Sequence, residues 1–144
     1  MGSRRTARER ALQALYHLEL SPASPAQAID AAGAAENVET TNGAILDPDG
    51  RQFALELVAG VRGALPELDA LIQQHSHHWR IDRMSRIDRN VLRLGVFELK
   101  FRPEIPLKVT INEAVELGKR FGTEDSSAFV NGLLDKIGAA LGKG

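Results

Sequence analysis

The sequence predicts an all-α domain of about seven helices, on three grounds. Apolar residues recur at three- and four-residue spacing along almost the whole chain. Alanine, leucine, glutamate and arginine, all good helix formers, dominate the composition. No pair of alternating apolar runs joined by a turn signal is present, so no strand pair is expected. With 144 residues, one domain spanning residues 1–144 is the simplest reading, large enough to bury a core without metal or disulfide staples.

Each element has its own justification. Segment 4–20 aligns Ala7, Ala11, Ala14, Leu15 and Leu18 in one stripe and forms the first helix. Segment 21–50 is rich in alanine, glycine, proline and small polar residues. It is expected to be variable and loop-rich, with one short helix near Pro25–Ala35. From Gly50 the pattern resumes: Phe53, Leu57, Val58, Val61 and Leu65 define a helix ending near Gly63–Pro66. Pro66 suits the first turn of the next helix, where its missing N–H costs nothing. That helix passes through Leu68, Leu71 and Ile72 to about His75. Segment 82–101 is the strongest helix, and RPEIP terminates it because neither proline can continue the ladder. Thr110-Ile111-Asn112-Glu113 has capping-box spacing and is expected to start a helix that reaches Phe121 and stops at Gly122. A last helix begins around Thr123-Glu124-Asp125, with acids where the dipole favours them, and ends near Leu141.

A formal net charge of −1 hides a pattern. The first 20 residues carry four arginines against two glutamates, and residues 21–72 carry two arginines against eight acids. Residues 73–102 carry six arginines and one lysine against three acids. Two separated basic segments in a near-neutral chain suggest a local patch for a polyanion, with solvated arginine faces as the plain alternative. The absence of cysteine excludes a disulfide scaffold, a thiolate metal site and a cysteine nucleophile, and suits a reducing compartment. There is no apolar run of membrane-spanning length and no secretory signal at the start, so the expected location is the cytoplasm, with no membrane partner. MGSRRT fits the N-myristoylation pattern, but that pattern is short and common, and membrane anchoring is the outlying reading.

On a helical wheel of residues 84–101, Met84, Ile87, Val91, Leu94 and Phe101 crowd one side, and Leu92, Val96, Phe97 and Leu99 widen it. The remaining gap holds Arg86, Arg89, Arg93 and Lys100, so this helix is expected to be buried on most sides behind a narrow basic stripe. Glu98 falls at the centre of the apolar arc, where a carboxylate without partners would cost several kcal/mol. It is expected to cap backbone N–H groups near Ile105–Thr110. His75, His77 and His78 crowd a helix end with no further ligand in view, so solvated histidines over a Trp79 anchor are expected in place of a metal site. No phosphate loop, no nucleophile elbow and no forced pair of carboxylates appears, and no catalytic residue, cofactor or metal is assigned. On the first helix Arg5, Glu9, Leu12 and Tyr16 share a second face, with Arg4 and Arg8 close by. A tyrosine there can stack a base while arginines hold phosphates, or it can be a core residue with its hydroxyl at the rim. Phe129 sits at the edge of the stripe of Leu133, Leu134 and Ile137. Gly132 costs that helix about 1 kcal/mol relative to alanine, which points to close approach by a neighbouring helix or a ligand.

Four blocks, RRTARERALQALYHLEL, RIDRNVLRLGVFELKF, PLKVTINEAVELGKRFG and EDSSAFVNGLLDKI, resemble in order and spacing the NusB family of transcription antitermination factors. Only segment 21–50 lacks a counterpart. The resemblance implies two small helical bundles packed together, without catalysis. It implies binding of the boxA element of leader and ribosomal RNA as a heterodimer with NusE, a small-subunit ribosomal protein. That complex joins RNA polymerase with other Nus factors and suppresses premature termination, notably in ribosomal RNA operons. Carried over by position, the resemblance gives Arg4, Arg5 and Arg8 to a phosphate-gripping arm, and Tyr16 and Phe129 to base contacts. Asp125 matches an acidic position near the RNA and partner surface, and Asp88 stands in for a glutamate, one methylene shorter. Arg86, Arg89 and Arg93 fall near the partner face. Two alternatives belong to the same resemblance. One is the NusB-like RNA-binding domain of ribosomal RNA cytosine methyltransferases, whose chains continue into a catalytic domain whereas this one stops at Gly144. The other is a homodimer with its arginine-rich face masked.

Overall fold

The computed structural model describes residues 3–35 and 46–143, and every regular element among them is helical. Seven α-helices follow in order: α1 Ser3–Leu20, α2 Pro25–Ala35, α3 Pro48–Gly63, α4 Leu65–His75, α5 Arg86–Phe101, α6 Leu107–Phe121 and α7 Ser126–Ala140. A 3-10 turn at Ile81–Arg83 precedes α5. The loop expected at residues 36–45 and the acylation pattern at Gly2 lie outside the described residues. No helix among the described residues is long and apolar enough to cross a membrane.

The chain divides into two compact units, Met1–Arg62 and Gly63–Gly144. In the first, α1 packs on α2, and the alanine-rich stripe of Ala7, Ala11, Ala14, Leu15 and Leu18 is buried as its spacing requires. Helix α2 opens on a reciprocal cap: Gln27 N–H donates to Ser24 Oγ at 3.1 Å and Ser24 N–H donates to Gln27 Oε1 at 2.9 Å. Helix α3 opens on Asp47, whose Oδ1 accepts from Gly50 N–H at 2.6 Å, with Pro48 at the first helical position. Arg51 pairs with Asp30 at 3.1 Å and so ties α3 to α2. The guanidinium groups of Arg4 and Arg8 lie 4.2 and 5.2 Å from the centre of the Phe53 ring and tie it to α1.

In the second unit α5 contacts α4, α6 and α7. Asn90, Val91, Leu92 and the whole run Leu94–Leu99 are buried along it. Each of the larger aliphatic side chains contributes about 1.5–3 kcal/mol by leaving water. At Gly95 an added Cβ would stand 2.7 Å from Leu134 Cδ1, so the absence of a side chain sets how closely α5 and α7 approach. Glu98, 2% exposed, accepts from the Thr110 hydroxyl at 3.0 Å. Its partner therefore falls within the segment expected, and it is a side chain of α6.

Three sequence expectations are corrected. The strong helix starts at Arg86, not at residue 82: Met84 and Ser85 are extended (ψ 150° and 154°), and Ser85 Oγ accepts from Asp88 N–H at 3.1 Å. Thr110-Ile111-Asn112-Glu113 is not a cap, because α6 begins at Leu107 with the Pro106 carbonyl accepting from Val109 and Thr110 N–H. Thr110 sits inside the helix because its hydroxyl is needed by Glu98. Leu65 belongs to α4, not to the helix that ends at Gly63.

Thr110→Val keeps the shape of the side chain and removes the donor. It should cost about 1–3 kcal/mol, read as a lower urea midpoint at unchanged slope, while Thr110→Ser should recover most of the loss.

Candidate nucleic-acid interface

The expected phosphate arm separates into two kinds of arginine. Arg4 and Arg5 are exposed on the first turns of α1, whereas Arg8 is 5% exposed with its guanidinium over Phe53. A charge so enclosed is held by the fold and offers a ligand little. Tyr16 lies three turns beyond Arg5 on the same face and is 39% exposed, as a stacking platform requires and a core tyrosine does not.

The stripe of cations expected along α5 is largely consumed inside the second unit. Arg93 grips Asp69 of α4 through two parallel bonds, Nε to Oδ1 at 2.7 Å and Nη2 to Oδ2 at 2.8 Å, and also donates to Asn90 Oδ1 at 3.1 Å. Lys100 pairs with Glu67 of α4 at 2.8 Å. Arg89 is half-buried and directs Nη1 toward the carbonyls of Ile81 and Met84, both at 3.4 Å, fastening the 3-10 turn to α5. Arg86 is exposed at the helix start. The gap in the wheel is thus a seam facing α4 and the turn before α5, with solvent reaching only its ends.

Asp88 also has a structural partner. The Ser126 hydroxyl, itself 1% exposed, donates to Asp88 Oδ1 at 2.6 Å and accepts from Thr123 N–H at 3.0 Å. A Cβ on Gly122 would collide with Ser126 Oγ, so the glycine at this turn is what lets the hydroxyl reach across. One serine therefore fixes the α6–α7 turn to the start of α5.

Around this strut the second unit opens two adjoining clefts. The first, about 240 Å³, is lined by Trp79, Arg83, Met84, Ser85, Asp88, Asp125 and Phe129. The second, about 290 Å³, shares Trp79 and Phe129 with the first and runs along α7 past Gly132. Asp125 and Phe129 thus line one cleft with Asp88. Trp79 is the residue that sequence reasoning missed, having been read as a covered anchor beneath histidines. It is 57% exposed. Its backbone is held firmly: the Trp79 carbonyl accepts from Gln73 Nε2 at 3.0 Å and from Ser76 Oγ at 2.9 Å, while Ile81 N–H donates to Gln73 Oε1 at 2.8 Å. A lone tryptophan between a helix end and a turn, in a segment with no apolar period, was the available signal. His75 Nδ1 lies 2.9 Å from the Leu71 carbonyl, inside its own helix. Among the described residues no group of three histidines or carboxylates could hold a metal ion.

Comparison with known proteins shows the family. The model of the NusB family matches residues 5–139. A transcription antitermination protein NusB from Myxococcus xanthus is 64% identical over 143 residues, covering 99% of both chains. One from Sorangium cellulosum is 48% identical over 143 residues, covering 99% of this chain and 96% of its own. A solved structure of antitermination factors NusB and NusE in complex with dsRNA superposes with a TM-score of 0.80 at 32% identity, over 97% of this chain and 98% of the other.

If Asp88 and Ser126 form a strut, Ser126→Ala should cost about 1–3 kcal/mol in urea unfolding. A double-mutant cycle with Asp88→Ala should then show clear coupling, and additive losses would mean the two side chains act separately.

Proposed function

The chain belongs to the NusB family, and on that premise we propose that it is a transcription antitermination factor that binds boxA-type RNA together with NusE. It acts by binding, not by catalysis. In this reading the complex joins RNA polymerase and other Nus factors in the cytoplasm and promotes read-through, notably of ribosomal RNA operons. The observation that carries the reading is the pairing of aromatic rings open to solvent with exposed cations: exposed Tyr16 on the helix that bears Arg4 and Arg5, and half-buried Phe129 in a cleft that Arg83 also lines. Splayed bases stack on aromatic rings while arginines follow the backbone, which is how single strands are held. The methyltransferase alternative is not favoured, since the Myxococcus relative, aligned over 99% of its length, is an antitermination protein.

In this reading the roles divide according to burial and partners. Arg4, Arg5, Tyr16, Asp125 and Phe129 form the RNA-contacting set, and Arg86 is the cation of α5 placed to meet NusE. Arg8, Arg89, Arg93 and Asp88 serve by holding the fold. Few phosphate contacts mean modest affinity and a shallow salt slope, about −0.7 per contact for single strands. NusE raises affinity by completing the surface.

Fluorescence anisotropy with a short boxA-type strand, its scrambled control and its duplex, each with and without NusE, tests this reading. Selective binding of the single strand, strengthened by NusE, is expected; equal affinity for all three RNAs with NusE present would overturn it. Replacing Arg4 and Arg5 by alanine should flatten the log–log salt slope by about 0.7 per arginine at nearly unchanged melting temperature. Arg8→Ala should chiefly lower the melting temperature, as loss of a buried cation–π contact does. Tyr16→Ala and Phe129→Ala should each cost about 1–3 kcal/mol of RNA affinity.

A further inference from the structure

Gly132 stands in the middle of α7, is exposed, and has nothing within 4 Å of where a Cβ would be. No neighbouring helix among the described residues requires a glycine there, although an exposed helix interior is less stable with glycine than with alanine. Gly132 lines the second cleft together with Trp79 and Phe129. His77, His78 and Lys136 line the same cleft, Lys136 one turn beyond Gly132 on the same face of α7. Among the described residues no carboxylate forms an ion pair with Lys136 or with either histidine.

We propose that this cleft is an additional nucleotide subsite, in which one base of the bound single strand lies flat over the bare backbone at Gly132 and against Trp79, and its phosphate meets Lys136 and the His77–His78 edge. The proposal rests on the RNA-binding reading above and extends it to residues outside the assigned set. Three observations converge on a nucleotide. Trp79 presents an exposed ring on a backbone pinned by Gln73 and Ser76, so little freedom is lost when a base stacks on it. With no side chain at Gly132, a planar group can come closer to the α7 backbone than a methyl there would allow. The rim carries donors and positive charge, which suit a phosphodiester better than the apolar face of a partner helix. The cleft is also continuous, through Trp79 and Phe129, with the cleft of Asp88 and Asp125, so a strand placing one base at Phe129 has its neighbour within reach.

Trp79 is the only tryptophan of the chain, which makes its fluorescence a direct reporter. The test titrates the full-length protein, with NusE present, with a short boxA-type single strand. Trp79 emission should be quenched with the same midpoint that anisotropy gives. Trp79→Ala should weaken binding roughly 5- to 150-fold, the range of one lost stack. Lys136→Gln should flatten the salt slope by about 0.7. Gly132→Ala is the sharpest variant: it should raise the melting temperature by a few degrees and still weaken RNA binding several-fold. Selective RNA binding with unquenched Trp79 and an unaffected Gly132→Ala variant would overturn the subsite and leave the antitermination reading standing. Variants that bind RNA normally but lose NusE in its absence would also overturn it, by showing a protein-docking face. A wild-type protein that fails to prefer boxA-type RNA even with NusE would overturn the reading and the subsite together.

Discussion

Helix α5 packs against α4, α6 and α7, and the polar groups it buries have to find partners there or in the turn before it. That constraint organises the second unit. Glu98, at the centre of the buried arc, fixes where α6 must present a hydroxyl, and Thr110 answers it. Arg93 fixes where α4 must present a carboxylate, and Asp69 answers with a two-point grip that a lysine could not reproduce. Asp88, at the helix start, reaches over to Ser126 and locks the α6–α7 turn. Replacing one partner of such a pair leaves a buried group unsatisfied, which costs more than the pair contributes net. These side chains therefore specify which helix meets which.

The same constraint decides what is left for a ligand. A guanidinium already shared among a carboxylate, an amide oxygen and its own helix has little to offer a phosphate. The proposed ligand contacts therefore lie off α5: on α1 from Arg4 to Tyr16 in the first unit, and in the second on the loop carrying Trp79 and on α7 at Phe129. At each of these places an apolar ring is exposed or half-exposed although burial would stabilise the fold. Such rings gain from stacking only when a flat partner arrives, which suits the proposed capture of a single strand with help from a second protein.

How far the sequence reveals this depends on what each signal reports. Helix existence follows from local periodicity, so Pro25–Ala35 and the stretch from Pro66 to His75 are legible to within a residue. Helix starts depend on which hydroxyl is free to cap. Ser85 and Thr110 look alike as signals, but Thr110 is claimed by a buried carboxylate twelve residues earlier, and no local pattern records that claim. The charge pattern locates arginines without saying who pairs with them. Asp69 is twenty-four residues from Arg93, and Phe53 is forty-five from Arg8, so both cations read as available until the fold brings their partners in. Tyr16, Asp125 and Phe129 enter as candidates through their family blocks. Trp79 does not, because no block covers it and exposure is a property of the folded loop.

Trp79 and Gly132 share a physical character that separates them from the rest of the second unit. Prolines at helix starts, the serine that caps α5 and a glycine where Leu134 needs room are choices that agree with the fold. An exposed tryptophan and an exposed mid-helix glycine are choices against the fold's own stability, and they fall side by side. Where packing offers no compensation for such a choice, the compensation has to come from outside the chain, and a site for something else is the natural place to find it. Gln73 sharpens the point. Its amide spends three hydrogen bonds on the loop backbone around Trp79, a rigid mounting for a side chain that the core does not use. Rigidity without burial is what preorganised binding demands and what folding alone does not.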